Sequence, residues 1–99
     1  MKSHKTMIQR YLMEQLNLNE YRAKEEYKNL HRHADIEQEF ANYILGKEEE
    51  SYIKVEGYTA KDLHENYPLS ILGAYNYLIS LREEPEEALQ LLKEGLPRW

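Results

Sequence analysis

Cysteine is absent from the chain, which excludes a disulfide framework, a thiolate nucleophile and any zinc site built on sulfur. Glycine occurs only at positions 46, 57, 73 and 95, too sparsely for a glycine-rich phosphate loop. Phenylalanine and tryptophan appear once each, so tyrosine must supply nearly all the aromatic surface. No segment approaches the roughly 18 to 20 consecutive apolar residues of a membrane span. Met7, Ile8, Tyr11 and Leu12 follow Met1-Lys2-Ser3-His4-Lys5 with polar residues between them, which is not the unbroken apolar stretch of a signal peptide. The expected address is the cytoplasm, with no membrane partner.

What is present suits a folded globule. The 99 residues are 41% hydrophobic and 31% charged, enough for one thin core and too apolar for wholesale disorder. A single domain, residues 1–99, is expected. Its net charge of −5 is unevenly spread: residues 1–33 carry +3, residues 34–65 carry −6 and residues 66–99 carry −2. A basic first third and an acidic middle constrain any partner.

Apolar spacing predicts an all-α fold, a small helical bundle. Ile8, Tyr11, Leu12 and Leu16 recur at helical spacing within residues 3–16. Asn19 can cap a second helix reaching Gly46, about 40 Å long at 1.5 Å per residue, with Ala34-Asp35 the place for a break. Together these form an N-terminal helical segment, 3–46. Tyr52-Ile53-Lys54-Val55-Glu56 alternates as a short strand would, and a lone strand calls for a partner from another chain. Thr59 with Asp62 forms a capping-box start for a helix from Ala60 to Asn66, ended by Pro68. Ser70 caps the next helix, Ile71 to about Arg82. The last, 85–95, starts on Pro85 with Glu86 and Glu87 at the positive end of its dipole and stops at Gly95.

Residues 59–82 resemble a helix-turn-helix. Leu63 sits on the inward side of the first helix, Leu69 plugs the turn, Ser70 caps, and Ala74, Leu78 and Leu81 recur at i, i+4 and i+7. His64 and Pro68 depart from the motif's usual small residue and glycine. The resemblance implies a second helix that reads base edges. Its outward positions would be Ile71, Leu72, Tyr75, Asn76, Ile79 and Arg82. Of these only Asn76 suits adenine and only Arg82 a phosphate or guanine. The stretch from Val55-Glu56-Gly57-Tyr58 through Gly73-Ala74-Tyr75-Asn76 to Pro97-Arg98-Trp99 is also similar to small proteins of Firmicutes bacteria and their mobile elements. That similarity implies a bacterial or phage origin and no chemistry.

The sites of chemistry are few. His31, His33, Asp35, Glu37 and Glu39 lie close in sequence, but helical spacing pairs His33 with Glu37 and puts His31 elsewhere, so a solvated charged surface is expected and no metal. No serine sits in a nucleophile elbow. Glu48-Glu49-Glu50 with Asp35, Glu37, Glu39 and Glu56 could imitate nucleic-acid phosphates toward a basic partner. The nine tyrosines suit a half-buried core or a contact surface, with Tyr58, Tyr67, Tyr75 and Trp99 the first to try at an interface.

The expected function is therefore non-enzymatic: a regulatory or protein-interaction module, self-associating as a dimer or binding another protein through Ile71, Leu72, Tyr75, Asn76, Ile79 and Arg82. No cofactor, metal or small-molecule substrate is expected. The alternatives are a DNA-binding regulator, with Arg10, Arg22, Lys24, Lys28 and Arg32 on phosphates, and an acidic inhibitor of a nucleic-acid-binding protein.

Overall fold

The structure, a computed structural model, describes residues 4–46 and 52–95. Among them six helices and no strand are found, so the fold is all-α. No described helix is long and apolar enough to cross a membrane. The chain divides into two compact units, residues 1–50 and 51–99.

The first unit holds α1 (His4–Glu14), α2 (Glu20–His31) and α3 (Ala34–Ile44), each packed on the other two. Ile8 and Leu12, one turn apart, supply the buried stripe of α1, and Ala23, Tyr27 and Leu30 that of α2. Ile36, Phe40 and Ala41 complete the core from α3. The Tyr11 ring meets Phe40 edge-on at 5.8 Å and Tyr43 at 6.5 Å, arrangements that favour the positive ring edge over the negative face. Burial and then the neighbouring Tyr43 push the Tyr11 hydroxyl pKa up. Asn17, in the left-handed region at φ 58°, turns the chain out of α1, a conformation asparagine tolerates better than most residues. Asn19 then caps α2, its side chain accepting from the Arg22 N–H at 2.7 Å.

The 19–46 segment is two helices, not one. Arg32 keeps helical angles, but His33 is extended at φ −126°, ψ 94°. The break comes one residue before the expected place. No glycine or proline marks it; what holds it is the tertiary contact of Glu37 described below.

In the second unit, α4 (Ala60–Asn66) and α6 (Pro85–Glu94) each pack on α5 (Ile71–Glu83). The capping box of α4 is complete: the Asp62 N–H donates to Thr59 Oγ1 at 3.1 Å, and the Thr59 N–H donates to Asp62 Oδ2 at 3.2 Å. Tyr67 is extended before Pro68, and the Leu69 N–H returns to the Tyr67 carbonyl at 2.7 Å in a three-residue turn. His64 Nδ1 donates to the Leu69 carbonyl at 2.7 Å, which gives the bulky residue at this position a structural use across the turn. Ser70 caps α5 by accepting from the Gly73 N–H at 3.0 Å. Tyr77 O–H donates to the Ala88 carbonyl and ties α5 to α6.

The expected strand at 52–56 is instead one side of a two-residue turn. Val55 and Tyr58 exchange two backbone hydrogen bonds of 2.9 Å each, with Glu56 at φ 52° and Gly57 at φ 87° between them. Two left-handed central residues make the tight hairpin turn that matches strand twist. The segment therefore pairs with itself and needs no strand from a second chain.

Candidate anion-binding groove

Lys24, Tyr27, Lys28 and His31 stand at i, i+3, i+4 and i+7 of α2, so they form one continuous stripe. Burial of Tyr27, 7% exposed, fixes how the stripe is turned: its ring enters the core while the lysines flank it at the surface. Lys5 and Gln9, one turn apart on α1, meet this stripe across a groove of about 480 Å³. Three ammonium groups and an imidazole thus line one cleft. Clefts beside the α5–α6 junction carry the opposite charge, being lined by Glu84, Glu86 and Glu87.

Two carboxylates border the groove. Lys24 Nζ lies 3.3 Å from Glu20 and Lys28 Nζ 3.6 Å from Glu25, all four side chains being substantially exposed. Exposed pairs of this kind contribute about 0 to 1 kcal/mol. A multivalent anion can therefore take over these lysines at little cost.

Two of the lining residues, Tyr27 and His31, belong to a hydrogen-bonded set that joins α2 to α3. Tyr27 O–H donates to Glu37 Oε2 at 2.6 Å, and His31 Nδ1 donates to Glu37 Oε1 at 2.8 Å. The Tyr27 hydroxyl pKa is pushed up to about 12, first by burial, then by its hydrogen bond to Glu37 and the carboxylate's charge. Glu37 is itself 8% exposed. A buried carboxylate persists when donors satisfy its oxygens, and here two side chains do. The His31 ring stacks on Tyr27, centroids 5.4 Å apart and planes 20° from parallel, yet its side chain stays 67% exposed. With Nδ1 bonded and one face on Tyr27, the other face and the Nε2 edge remain to meet a ligand.

The residues expected to hold phosphates are only partly gathered here. Lys24 and Lys28 line the groove. Arg10 instead pairs with Glu14 at 3.5 Å, Arg22 with Glu26 at 3.0 Å, and Arg32 donates to Asn29 Oδ1 at 2.9 Å. Lys5, Gln9, Tyr27 and His31 were not among the expected site residues. Their signal was the 24, 27, 28, 31 spacing, incomplete until α1 packs beside α2.

The proposed contact face of α5 is placed differently from expectation. Ile71, Leu72, Tyr75, Asn76 and Ile79 are all buried, Tyr75 completely, and of the six only Arg82 is exposed. Gly73, Ala74, Tyr77, Leu78 and Leu81 are buried as well. A helix apolar nearly all round is here packed all round, so a partner could reach its side chains only by displacing the chain's own. Tyr58 and Tyr67 are half-buried, and Trp99 lies outside the described residues.

Among the described residues no group of three or more metal-ligating side chains converges. His31 pairs with Glu37 where helical spacing had assigned His33, because the turn at 32–33 reverses the chain between them. Glu37 and Glu39 are buried and not part of a solvated surface, which removes them from an acidic decoy; Asp35 and Glu56 are exposed, and Glu48 to Glu50 lie outside the described residues. Comparison with protein-family models, curated proteins and solved structures found no match.

Proposed function

We propose that this chain is a non-enzymatic regulatory module that works by binding an anionic partner in the α1–α2 groove. One observation carries the reading: Lys5, Lys24 and Lys28 converge from two helices on a single cleft, although the whole chain has a net charge of −5. Cations gathered in a concave site focus the local field and select anions even on an acidic molecule. The bacterial or phage origin and cytoplasmic address belong to the same reading.

Each of the two alternatives draws in part on residues that the fold covers. Reading DNA with Tyr75 and Asn76 needs side chains that are 0% and 6% exposed. An acidic decoy built on Glu48 to Glu50 with Asp35, Glu37, Glu39 and Glu56 would be without Glu37 and Glu39, which are 8% and 0% exposed. The groove uses side chains already there.

Calorimetric titration of the full chain with sodium tripolyphosphate and with a hexaglutamate peptide tests the reading. At least one anion is expected to bind, more weakly as salt rises, and the Lys24→Glu, Lys28→Glu double variant is expected to lose that binding with unchanged helical circular dichroism. If neither anion binds at low salt, or the double variant binds as well as the parent, the groove is not the functional surface.

A further inference from the structure

Resting on that reading, we propose that the occupant of the groove is a mononucleotide carrying a polyphosphate, its phosphates on Lys5, Lys24 and Lys28 and its base on the open face of His31. Four features of the groove point to this class. Its volume of about 480 Å³ lies within the roughly 300 to 1,000 Å³ of small-ligand sites. Its three lysines supply point charges for phosphate oxygens from two helices. Glu20 and Glu25 stand against Lys24 and Lys28 at 3.3 and 3.6 Å. They bound the positive area so that a compact multivalent anion fits while an extended polyanion would run onto carboxylates.

The fourth feature separates a nucleotide from a bare phosphate. His31 is a flat ring held at fixed tilt, one face on Tyr27 and its Nδ1 on Glu37. Such restraint removes the rotamer entropy that a freely turning side chain would lose on stacking. Bases stack on aromatic side chains without regard to their identity, so the site predicts a class of ligand and not a particular base. Glu37 acts here as a positioning residue, since it touches His31 and not the ligand.

The test titrates the full chain with adenosine triphosphate, inorganic tripolyphosphate, adenosine and hexaglutamate under one buffer. Adenosine triphosphate should bind about tenfold more tightly than tripolyphosphate, the ratio a single base stack provides, and hexaglutamate more weakly than either. His31→Ala should cut nucleotide affinity by about that tenfold, so that nucleotide and tripolyphosphate then bind within about twofold of each other. Lys24→Gln with Lys28→Gln should weaken both together. Equal affinity for nucleotide and tripolyphosphate, or a His31→Ala variant that keeps the difference, overturns the nucleotide assignment. Hexaglutamate binding in the groove without nucleotide binding overturns it too, while leaving the anion-binding reading in place; no binding of any anion removes both. His31→Ala also removes one of the two donors to Glu37, so unchanged circular dichroism is required of that variant, and His31→Phe, which keeps a flat ring, should keep the nucleotide preference.

Discussion

Glu37 is the residue on which the first unit turns. Its two oxygens accept from Tyr27 at 2.6 Å and His31 at 2.8 Å, joining the end of α2 to the start of α3 across a break that no proline or glycine makes. Hydrogen bonds to a charged group contribute about 1.5 to 3 kcal/mol each, and deleting one partner strands the other. Tyr27→Phe should therefore lower unfolding free energy by about 2 kcal/mol in urea titration; a loss under about 0.5 kcal/mol would mean that Glu37 does not depend on this donor. The same hydroxyl predicts a pH effect. Its folded pKa is raised from 10.0 to about 12, so between those values the folded chain holds a proton that the unfolded chain releases. Stability is full below pH 10 and falls as pH rises toward 12, by on the order of 2 kcal/mol. Tyr27→Phe should flatten that part of the alkaline stability curve, and absorbance at 295 nm should show a late ionisation step, near the Tyr27 value of about 12, that the variant lacks. A parallel alkaline decline in the variant would assign the effect to other tyrosines.

Helix boundaries in the second unit were legible because their signals are local. Thr59 with Asp62, Pro68 after Tyr67, Ser70, Pro85 and Gly95 each act on the backbone within three residues, and all fall where spacing and capping placed them. Thr59→Ala should cost about 1 kcal/mol, with Thr59→Ser largely restoring it, as read by thermal or urea unfolding. The hairpin turn was misread because Glu56, an ordinary residue, takes a left-handed conformation that sequence seldom announces. Gly57, at φ 87° with open space where a Cβ would stand, is limited by backbone strain alone. Gly57→Ala is thus expected to cost about 1 kcal/mol and Gly57→Asn less; equal costs would point to packing instead. The break at 32–33 stayed illegible for the opposite reason, since it depends on Glu37 finding Tyr27 and His31 after the chain has turned. The apolar pattern of α5 fitted both a contact face and a core helix, and only packing tells them apart. With Ile71 at 7% exposure, Ile71→Asp buries an unpaired charge and should destabilise by about 3 kcal/mol or more. Survival of helix content and unfolding midpoint in that variant would return α5 to the surface.

Charge decides what the molecule as a whole can hold. Residues 1–50 sum to −2 and residues 51–99 to −3, so the net charge of both halves repels a phosphate backbone. Of the expected basic residues, Arg10 and Arg22 pair with Glu14 and Glu26 and do not line the groove, so the cluster that a duplex would meet there is Lys5, Lys24 and Lys28. Each phosphate contact contributes about 0.9 to the slope of log affinity against log salt, whereas specific DNA binders commonly make 6 to 10 such contacts. A duplex held by these three lysines would show a slope of about 3 at most and, against the overall repulsion, negligible occupancy at physiological salt. A compact triphosphate escapes that argument because its charge fits inside the positive area and does not extend over the acidic remainder. Fluorescence anisotropy with a labelled duplex, run at 20 mM and at 150 mM salt, should consequently show no sequence-dependent binding at either, under conditions where tripolyphosphate titrates. A steep slope with a defined sequence preference would require a second cationic surface, and would move the functional centre from the groove to α4 and α5.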